Sequence, residues 1–531
     1  MMTTAKTLGV WLSFLFLVVC SLAVAQQNFG EVSFANSGPQ AAQADFLRGL
    51  ALLHNFEYED AADSFRNAQK LAPDFAMAYW GEAMTQSHPV WHEEDVAAAR
   101  EVLKRLAPTP EARLAKAPTE REKLYLRSVE VLFGDGTKEE RDRSFESILA
   151  KLHANFPDDV DGSAFYALAI LGTAEKGRDF ATYMRAAAVL EEVFPQHPRH
   201  PGVVHYLIHC YDDSVHAPLG LRAARIYSKI APEADHAQHM TSHIFLALGM
   251  WDEEIAANEN AMAVVNRDRQ KEGRPPSFCG HYNEWLEYGY LQQGRVEDAR
   301  HILNGCRKQA EDAATALADP NNPRHKQMSD SMMSGMSPAM MLMSSYAGMR
   351  THFIVTTRLW NDDVASWKIP AGDFPFPELD FHYADTLVAV GRRDNAAAHD
   401  AFSRAEKTAP RVKSWLDQTK MDMPAMTESV TIIVDQLHAA LTAAEGKQED
   451  AIKEMQRVAA REDALPLEFG PPDIEKPTDE MLGELLLQLH RPKEALGAFQ
   501  GALARNPGRK LAVEGLAQTY KQIPATTSTT N

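Results

Sequence analysis

Two segments near opposite ends of the chain carry the same residue types at the same spacing. Counted from a glycine, each has a leucine at offset 3, an alanine at 12, a phenylalanine at 16, a second alanine at 19 and a proline at 24. The two copies consist of Gly49, Leu52, Ala61, Phe65, Ala68 and Pro73, and of Gly483, Leu486, Ala495, Phe499, Ala502 and Pro507. A small residue lets two helices approach closely, the alanine and the phenylalanine fill the space between them, and the proline ends the second helix. The spacing therefore predicts repeated pairs of packed helices.

This spacing resembles that of tetratricopeptide repeats. Weaker copies occupy much of the intervening chain, at 245–261, 290–306, 402–410 and 446–458, and Pro410 is predicted to end one second helix. The resemblance implies an all-α fold, an α-α superhelix in which neighbouring helix pairs bury each other's apolar faces. It also implies a concave groove that binds a peptide or a partner protein. Runs of alternating β-branched residues, which would predict strands, are nearly absent from the sequence.

The predicted organisation has six segments. The turn-rich stretch DPNNP at 319–323 interrupts the repeats and predicts a hinge between two arrays. The segments are a cleaved signal peptide at 1–25, a flexible N-terminus at 26–42, an N-terminal array with a histidine-rich groove at 43–315, a methionine-rich hinge at 316–348, a C-terminal array with a closing helix at 349–523, and a disordered tail at 524–531.

The first residues are typical of an export signal. Lys6 precedes a short apolar run at 8–19, and Ala23, Val24 and Ala25 form an A-x-A cleavage site. The run is too short to span a bilayer comfortably, and no later stretch of the sequence is apolar enough for a membrane helix. The sequence therefore predicts a periplasmic or secreted protein without a membrane span.

The charge balance limits the class of partner. The chain has 73 acidic and 54 basic side chains and a net charge of −19. This excess repels a phosphate backbone, so the sequence predicts no nucleic-acid partner, whereas a cation suits the sign of the charge. Cys210, Cys279 and Cys306 remain after the signal peptide. Their odd number leaves at least one thiol outside any disulfide, and the sequence does not determine the pairing.

The strongest chemical signal is a concentration of histidines in the middle of the chain. His205 and His209 lie one helical turn apart on one face of a predicted helix, and His239 and His243 repeat that spacing on the next. A third helix is predicted to begin at His281. Histidines at i and i+4 can converge on one ion, so these five residues are the candidate ligands of a transition metal.

Further polar residues accompany these histidines. Five are predicted as alternate ligands or as partners that orient the rings: Asp212, Asp213, His216, His236 and Glu284. Imidazoles together with carboxylates suit zinc, copper, iron or manganese. The alternative is a buried hydrogen-bond network in which His–Asp and His–Glu pairs order the groove without a metal. The spacing alone does not choose between the two.

A second cluster consists of methionines. Eight lie close together: Met328, Met332, Met333, Met336, Met340, Met341, Met343 and Met349. Their spacing places several on one helical face, as packing in a core or along a groove requires. Thioethers are also ligands for Cu(I), but the pattern favours packing.

Two functions follow from these observations. The first is an exported scaffold that binds a peptide, protein or small ligand in its concave groove, with a transition-metal site in the histidine cluster. The alternative is a metal-dependent enzyme, a hydrolase or oxidoreductase, whose histidine, aspartate and glutamate side chains leave one coordination position open. Phosphate-binding glycine loops, G-x-S-x-G and H-E-x-x-H are absent from the sequence, so no motif names a reaction or a catalytic residue.

Overall fold

The computed structural model describes residues 28–174, 176–330, 332, 335–370, 373–419 and 424–523. The predicted signal peptide at 1–25 and the predicted disordered tail at 524–531 lie outside these residues. Within the described part of the chain, no helix is long and apolar enough to cross a membrane.

The described chain is almost entirely helical. The first twelve helices are α1 (Gln40–His54), α2 (Tyr58–Leu71), α3 (Ala76–Met84), α4 (Val96–Leu106), α5 (Pro110–Leu114), α6 (Glu120–Leu132), α7 (Lys138–Asn155), α8 (Val160–Gly172), α9 (Phe180–Val193), α10 (Pro201–Tyr211), α11 (Ala217–Ile230) and α12 (Asp235–Ala247). A two-residue antiparallel ladder pairs β1 (Ser87–His88) with β2 (Glu93–Glu94) around a 3-10 turn at Pro89–Trp91.

The remaining helices continue the pattern. They are α13 (Trp251–Lys271), α14 (His281–Gln292), α15 (Val296–Ala318), α16 (His325–Ser329), α17 (Pro338–Thr357), α18 (Pro375–Gly391), α19 (Asn395–Thr419), α20 (Pro424–Ala444), α21 (Gln448–Asp463), α22 (Thr478–Gln488), α23 (Pro492–Arg505) and α24 (Lys510–Gln522), with a 3-10 turn at Asp363–Ser366. Consecutive helices pack in pairs, such as α1 with α2 and α22 with α23. The predicted all-α fold of packed helix pairs is confirmed.

The two copies of the sequence signature perform the predicted packing. A Cβ atom on Gly49 of α1 would lie 2.9 Å from the Phe65 ring of α2. In the C-terminal copy, a Cβ atom on Gly483 of α22 would lie 2.8 Å from the Phe499 ring, and one on Gly515 of α24 would lie 2.3 Å from it. Each phenylalanine ring therefore occupies space that a larger residue at the glycine positions would need.

A second repeated feature is a residue with a left-handed backbone conformation. It lies two positions after the end of the first helix of a helix pair. This residue is Phe56 after α1, Gly249 after α12, Gly294 after α14, Arg393 after α18, Gly446 after α20 and His490 after α22. Glycine adopts this conformation without steric cost. Phe56, at φ 60°, adopts it at a cost on the order of 1 kcal/mol.

The N-terminal segment corrects one prediction. Residues 26–42 were expected to be flexible, but Val32 and Phe34 are buried. The Phe34 ring lies 4.9 Å from that of Tyr125, and the backbone N–H of Glu31 donates to the carbonyl of Arg199 at 3.0 Å. The buried side chains of Val32 and Phe34, together with this backbone hydrogen bond, hold the segment in place without a helix of its own.

Pro410 also departs from expectation. It was predicted to end a helix, but α19 continues through it to Thr419. Proline removes one backbone hydrogen bond from a helix interior. On either side of it, Ala405, Ala409, Val412 and Leu416 are buried in the core, and this packing offsets the loss.

The chain divides into two compact units. The first comprises 28–174, 179–211 and 219–241, and the second 176–178, 212–218 and the described residues from 242 onward. The methionine-rich segment predicted as a hinge at 316–348 therefore lies inside the second unit. Its α17 packs against α15, and Met328, Met340, Met343 and Met349 are buried there.

One disulfide lies in the second unit. Cys279, just before α14, is bonded to Cys306 of α15, and 27 residues separate the two in the sequence. Cys210 of α10 is buried and remains a thiol. The odd number of cysteines had predicted such a thiol.

Candidate metal centre

Three histidines of the first unit converge. His205 and His209 lie on successive turns of α10, and His236 lies in the first turn of α12. One ring nitrogen from each lies within 4.8 Å of the other two. The ring centroid of His205 lies 4.9 Å from that of His209 and 5.0 Å from that of His236. All three side chains are buried.

A backbone contact fixes the orientation of one of these rings. The Nδ1 atom of His205 lies 2.7 Å from the carbonyl oxygen of His54. A carbonyl only accepts, so Nδ1 carries the proton, and in the neutral ring the lone pair resides on Nε2. Metal-binding histidines commonly use this arrangement, in which one ring nitrogen donates to a carbonyl and the other binds the ion.

Phe56 lies against all three histidines. Its ring centroid is 4.3 Å from that of His205, 5.8 Å from that of His209 and 5.5 Å from that of His236. Its backbone is in the left-handed conformation, where three other repeats have glycine. A bulky residue held in an unfavourable conformation beside a polar cluster is typical of functional sites. The ring gives the cluster an apolar wall.

Glu57 connects the same turn to the third histidine. Its carboxylate accepts a hydrogen bond from the backbone N–H of His236 at 3.3 Å, at the N-terminus of α12. Burial, together with the nearby charge of Asp235, raises the pKa of Glu57 well above its usual range. Glu57 therefore positions the first turn of α12, which carries His236.

A second group of potential ligands in the first unit is a hydrogen-bond network. His54 and His200 each direct Nε2 at the same Asp161 oxygen, at 3.0 and 3.1 Å. Nδ1 of His54 lies 3.0 Å from the Tyr206 hydroxyl, and Nδ1 of His200 accepts from the Val203 backbone N–H at 3.3 Å. Every ring nitrogen of this network has a protein partner, so the network needs no ion.

The ionisation of this network follows from its contacts. Burial lowers the pKa of His54 to about 4, although Asp161 opposes the shift. Burial disfavours the charged form of Asp161, but hydrogen bonds from His200 and His54 hold the pKa of its carboxyl well below the usual range. The network also holds the residue whose carbonyl orients His205.

The predicted residues of the second unit form a different arrangement. His243 directs Nδ1 to Asp212 at 2.9 Å, and His216 directs Nδ1 to Asp213 at 2.9 Å. Arg178 is bonded to both carboxylates, to Asp213 at 3.1 Å. Both aspartates are thus held in ion pairs with Arg178, and each hydrogen-bonds one histidine ring.

Aromatic rings enclose His243. Its ring stacks between Trp285, at 4.5 Å, and Phe469, at 4.9 Å. The ring of His281 lies 6.3 Å from that of His243. His281 retains exposed surface, but the protein around it and the neighbouring His243 lower its pKa to about 3. His281 is therefore neutral at ordinary pH.

The structure changes which predicted residues act together. His236, predicted as an alternate, completes the group formed by His205 and His209. His239 is buried, and its ring lies 6.2 Å from that of His236. Glu284 accepts a hydrogen bond from the hydroxyl of Ser345. Neither Phe56 nor Arg178 was predicted from the sequence. Phe56 occupies a repeat position where three other repeats have glycine, which is a signal that the sequence contains.

Comparisons with known proteins add little to this picture. No family model and no curated protein matches the chain. Among solved structures, the chain is similar to yeast Tom70 (13% identity, 91% of this chain and 96% of that one, TM-score 0.36), to the Cut9–Hcn1 hetero-tetramer of APC/C (11%, 95% and 82%, 0.36) and to a human IFIT1 dimer with m7Gppp-AAAA (12%, 94% and 92%, 0.35). Similarities this low transfer neither a ligand nor an activity.

Proposed function

We propose that this helical-repeat protein binds one transition-metal ion through His205, His209 and His236. The observation that carries the proposal is the hydrogen bond between Nδ1 of His205 and the His54 carbonyl, 2.7 Å long. It leaves Nε2 of His205 with its lone pair, in a group whose nitrogens lie within 4.8 Å of one another. Three imidazoles suit zinc, copper or iron, and manganese less well.

The donor set supports a site with an open position. Tetrahedral sites that bind water or a ligand commonly have three protein ligands. We infer that the fourth position receives a side chain of a bound peptide or partner protein, or a small ligand, since repeat folds offer grooves for such partners.

We also propose that the protein lies outside the cytoplasm. Lys6, the apolar run that follows it and the A-x-A sequence support export. The Cys279–Cys306 disulfide supports an oxidising compartment.

The test is metal analysis of the purified protein, residues 26–531, prepared without a histidine tag. We expect about one equivalent of a single transition metal, lost in His209→Ala and in His236→Ala. His438→Ala is the matched control, because its side chain is 56% exposed and pairs with Glu454. His200→Ala removes one partner of Asp161 but leaves the contacts of the His54 ring with Asp161 and Tyr206 in place, so this variant should retain the metal. Absence of stoichiometric metal after addition of zinc, copper, iron and manganese would refute the proposal.

The alternative, a metal-dependent enzyme, is favoured by the position of Glu57. Its carboxyl lies beside His236 and has a raised pKa, as a general acid or base requires. An enzyme should hydrolyse activated esters or phosphates only with metal bound, and Glu57→Gln should lose turnover while keeping the metal. A binding scaffold should show no metal-dependent turnover in either form.

A further inference from the structure

Four carboxylates of the second unit are linked, because the charge of one raises the pKa of a neighbour. Glu284 and Glu287 lie on α14, Asp380 lies on α18, and Glu475 precedes α22; these four residues are called the acidic cluster. Burial and the charge of Glu284 raise the pKa of Glu287 well above its usual range and that of Asp380 to about 7. Burial and the charge of Asp380 likewise raise the pKa of Glu475. The four carboxyl groups therefore form one chain of repelling neighbours.

Several buried side-chain oxygen and nitrogen atoms in this region have no hydrogen-bond partner among the described residues. Glu287 is 0% exposed, and neither of its carboxylate oxygens has a hydrogen-bond partner among the described residues. The same holds for Oε2 of Glu475, which is 7% exposed, and for both ring nitrogens of His352, which is 8% exposed. A buried polar atom without a partner costs about 1–3 kcal/mol, so this many of them together indicates a missing polar component.

Two of these residues, Glu287 and His352, lie on adjacent helices, α14 and α17, that contact each other. Glu284 of α14 accepts a hydrogen bond from Ser345 of α17, and the ring of Tyr288 lies 5.2 Å from that of His352. The two contacts follow the same order along both helices, from Glu284 to Tyr288 on α14 and from Ser345 to His352 on α17. Glu287 lies between them on α14, as Gly348 does on α17. A Cβ atom on Gly348 would meet no atom within 4 Å, so the space beside it is open.

The neighbouring cation is already paired. Arg509 donates to Tyr288 at 3.0 Å and to Glu480 at 2.7 Å, and both Arg509 and Glu480 are buried. Its hydrogen bond with Glu475 is to the backbone carbonyl, at 2.9 Å. The charge of Arg509 opposes the rise in the pKa of the Glu475 carboxyl, but burial and Asp380 still hold that pKa well above its usual range. The acidic cluster therefore has four potential negative charges beside an arginine that Glu480 neutralises.

The geometry points to an organic cation rather than a metal ion. Where three or more potential ligand atoms of the described residues lie within 4.8 Å of one another, no member of the acidic cluster is among them. A single metal ion needs such convergence, whereas an alkylammonium ligand can donate hydrogen bonds to acceptors spread along a groove. A neutral imidazole at His352 would act as an additional acceptor, since burial lowers its pKa to about 3.

We propose that the acidic cluster, together with His352, binds an alkylammonium group between α14 and α17. The ammonium hydrogens are donated to the carboxylates of Glu284, Glu287 and Asp380, and the ligand enters beside Gly348. This site is independent of the three-histidine centre of the first unit, so either proposal can fail without the other. The ammonium belongs to a polyamine or to a lysine side chain of a peptide.

Calorimetric titration with spermidine tests the proposal, and the lysine peptide acetyl-Gly-Lys-Gly-amide is a second arm. We expect one of the two to bind and to raise the melting temperature. Glu287→Gln should weaken binding at least about tenfold, which is the loss of one hydrogen bond to a charged group. Asp380→Asn, at a half-buried position, provides a second variant in case Glu287→Gln fails to fold.

The matched control is Glu254→Gln. Glu254 is also 0% exposed and has a raised pKa, and its Oε2 has no hydrogen-bond partner among the described residues. Its Oε1 accepts from Asn258 at 2.6 Å, and no carboxylate of the acidic cluster is among the causes of its raised pKa. Binding by this variant should stay within about twofold of the original. Spermidine binding alone assigns a polyamine, and peptide binding alone assigns a lysine side chain. Three results overturn the proposal: no binding of either probe, unchanged affinity in both cluster variants, or binding of Mn²⁺ that neither amine displaces.

Discussion

The side chain of His205 is oriented by the backbone of His54, 151 residues earlier, through a hydrogen bond of 2.7 Å. His54 is in turn held by Asp161 and Tyr206. Two buried histidine groups of the first unit thus have different tasks. One is a network satisfied by protein partners, and it fixes the ring orientation of the other.

The buried histidines should stabilise the protein less as the pH falls, because they resist protonation. The pKa of His54 is lowered to about 4 and that of His352 to about 3, whereas in the unfolded chain both titrate near 6.5. Below pH 6.5 the unfolded state binds protons that the native state refuses. The contribution of each histidine to the free energy of unfolding should therefore fall by about 1.4 kcal/mol per pH unit as the pH drops towards about 4. Buried carboxyl groups with raised pKa, such as Glu287 and Asp380, contribute to the total slope with the opposite sign, so the comparison with a histidine variant isolates the histidine contribution.

Chemical denaturation between pH 7 and 4.5 measures this slope. His352→Gln should reduce it by about one proton. An identical slope in the variant would show that His352 does not contribute.

Replacement of a signature glycine should destabilise the second unit. In Gly483→Ala the new Cβ atom would lie 2.8 Å from the Phe499 ring, so α22 and α23 must separate or the ring must move, at a cost of about 1–3 kcal/mol. Gly497 of α23 is the control, because a Cβ atom there meets nothing within 4 Å. Gly497→Ala should stabilise the helix by about 0.5–1 kcal/mol. Opposite signs in denaturant titrations would confirm the packing.

Loss of the disulfide should lower stability without changing the fold. The bond closes a loop between residues 27 apart, for which the chain-entropy model gives about 3.5 kcal/mol. Cys279→Ser/Cys306→Ser should melt at a lower temperature than the original protein. A reducing agent should lower the melting temperature of the original and leave the double variant unchanged. Equal sensitivity of both to the reducing agent would contradict the assignment.

Removal of Arg178 should be among the costliest single changes. Arg178, Asp212 and Asp213 are all buried, so Arg178→Gln leaves two carboxylates without their cation, at a cost of about 3–5 kcal/mol. The comparison is Arg143→Gln, which breaks an ion pair with Glu139 whose side chains are 67% and 58% exposed. That pair should contribute little. Similar effects of the two substitutions would contradict the buried network.

The sequence predicted the fold better than the site because the two rest on different distances. The offsets between Gly49 and Phe65 describe contacts within one helix pair, so spacing along the chain determines them. The contact between His54 and His205 joins residues 151 positions apart, and helical periodicity carries no information about it. Periodicity placed His205 and His209 on one face correctly, but it could not choose His236 over His239 as their neighbour.

Charge alone was also insufficient at Asp212 and Asp213. Their positions beside the histidines made them candidates for ligands or for partners of the rings. Their ion pairs depend on Arg178, which lies 34 residues before Asp212, in the segment that connects α8 and α9. A single basic residue in a connecting segment shows no periodic signal. Only the folded structure identifies it as the shared partner of both aspartates.

Gly202, a residue without a side chain, lies against the network that orients the proposed metal ligand His205. A Cβ atom there would lie 2.2 Å from Nδ1 of His54, so even a methyl group must displace that ring. The displaced ring would lose its contacts with Asp161 and Tyr206, and these contacts hold the residue whose carbonyl orients His205. At the proposed site, Gly202→Ala should therefore lower the affinity for the metal although every ligand stays unchanged. A search for the determinants of that affinity must therefore include a residue with no side chain.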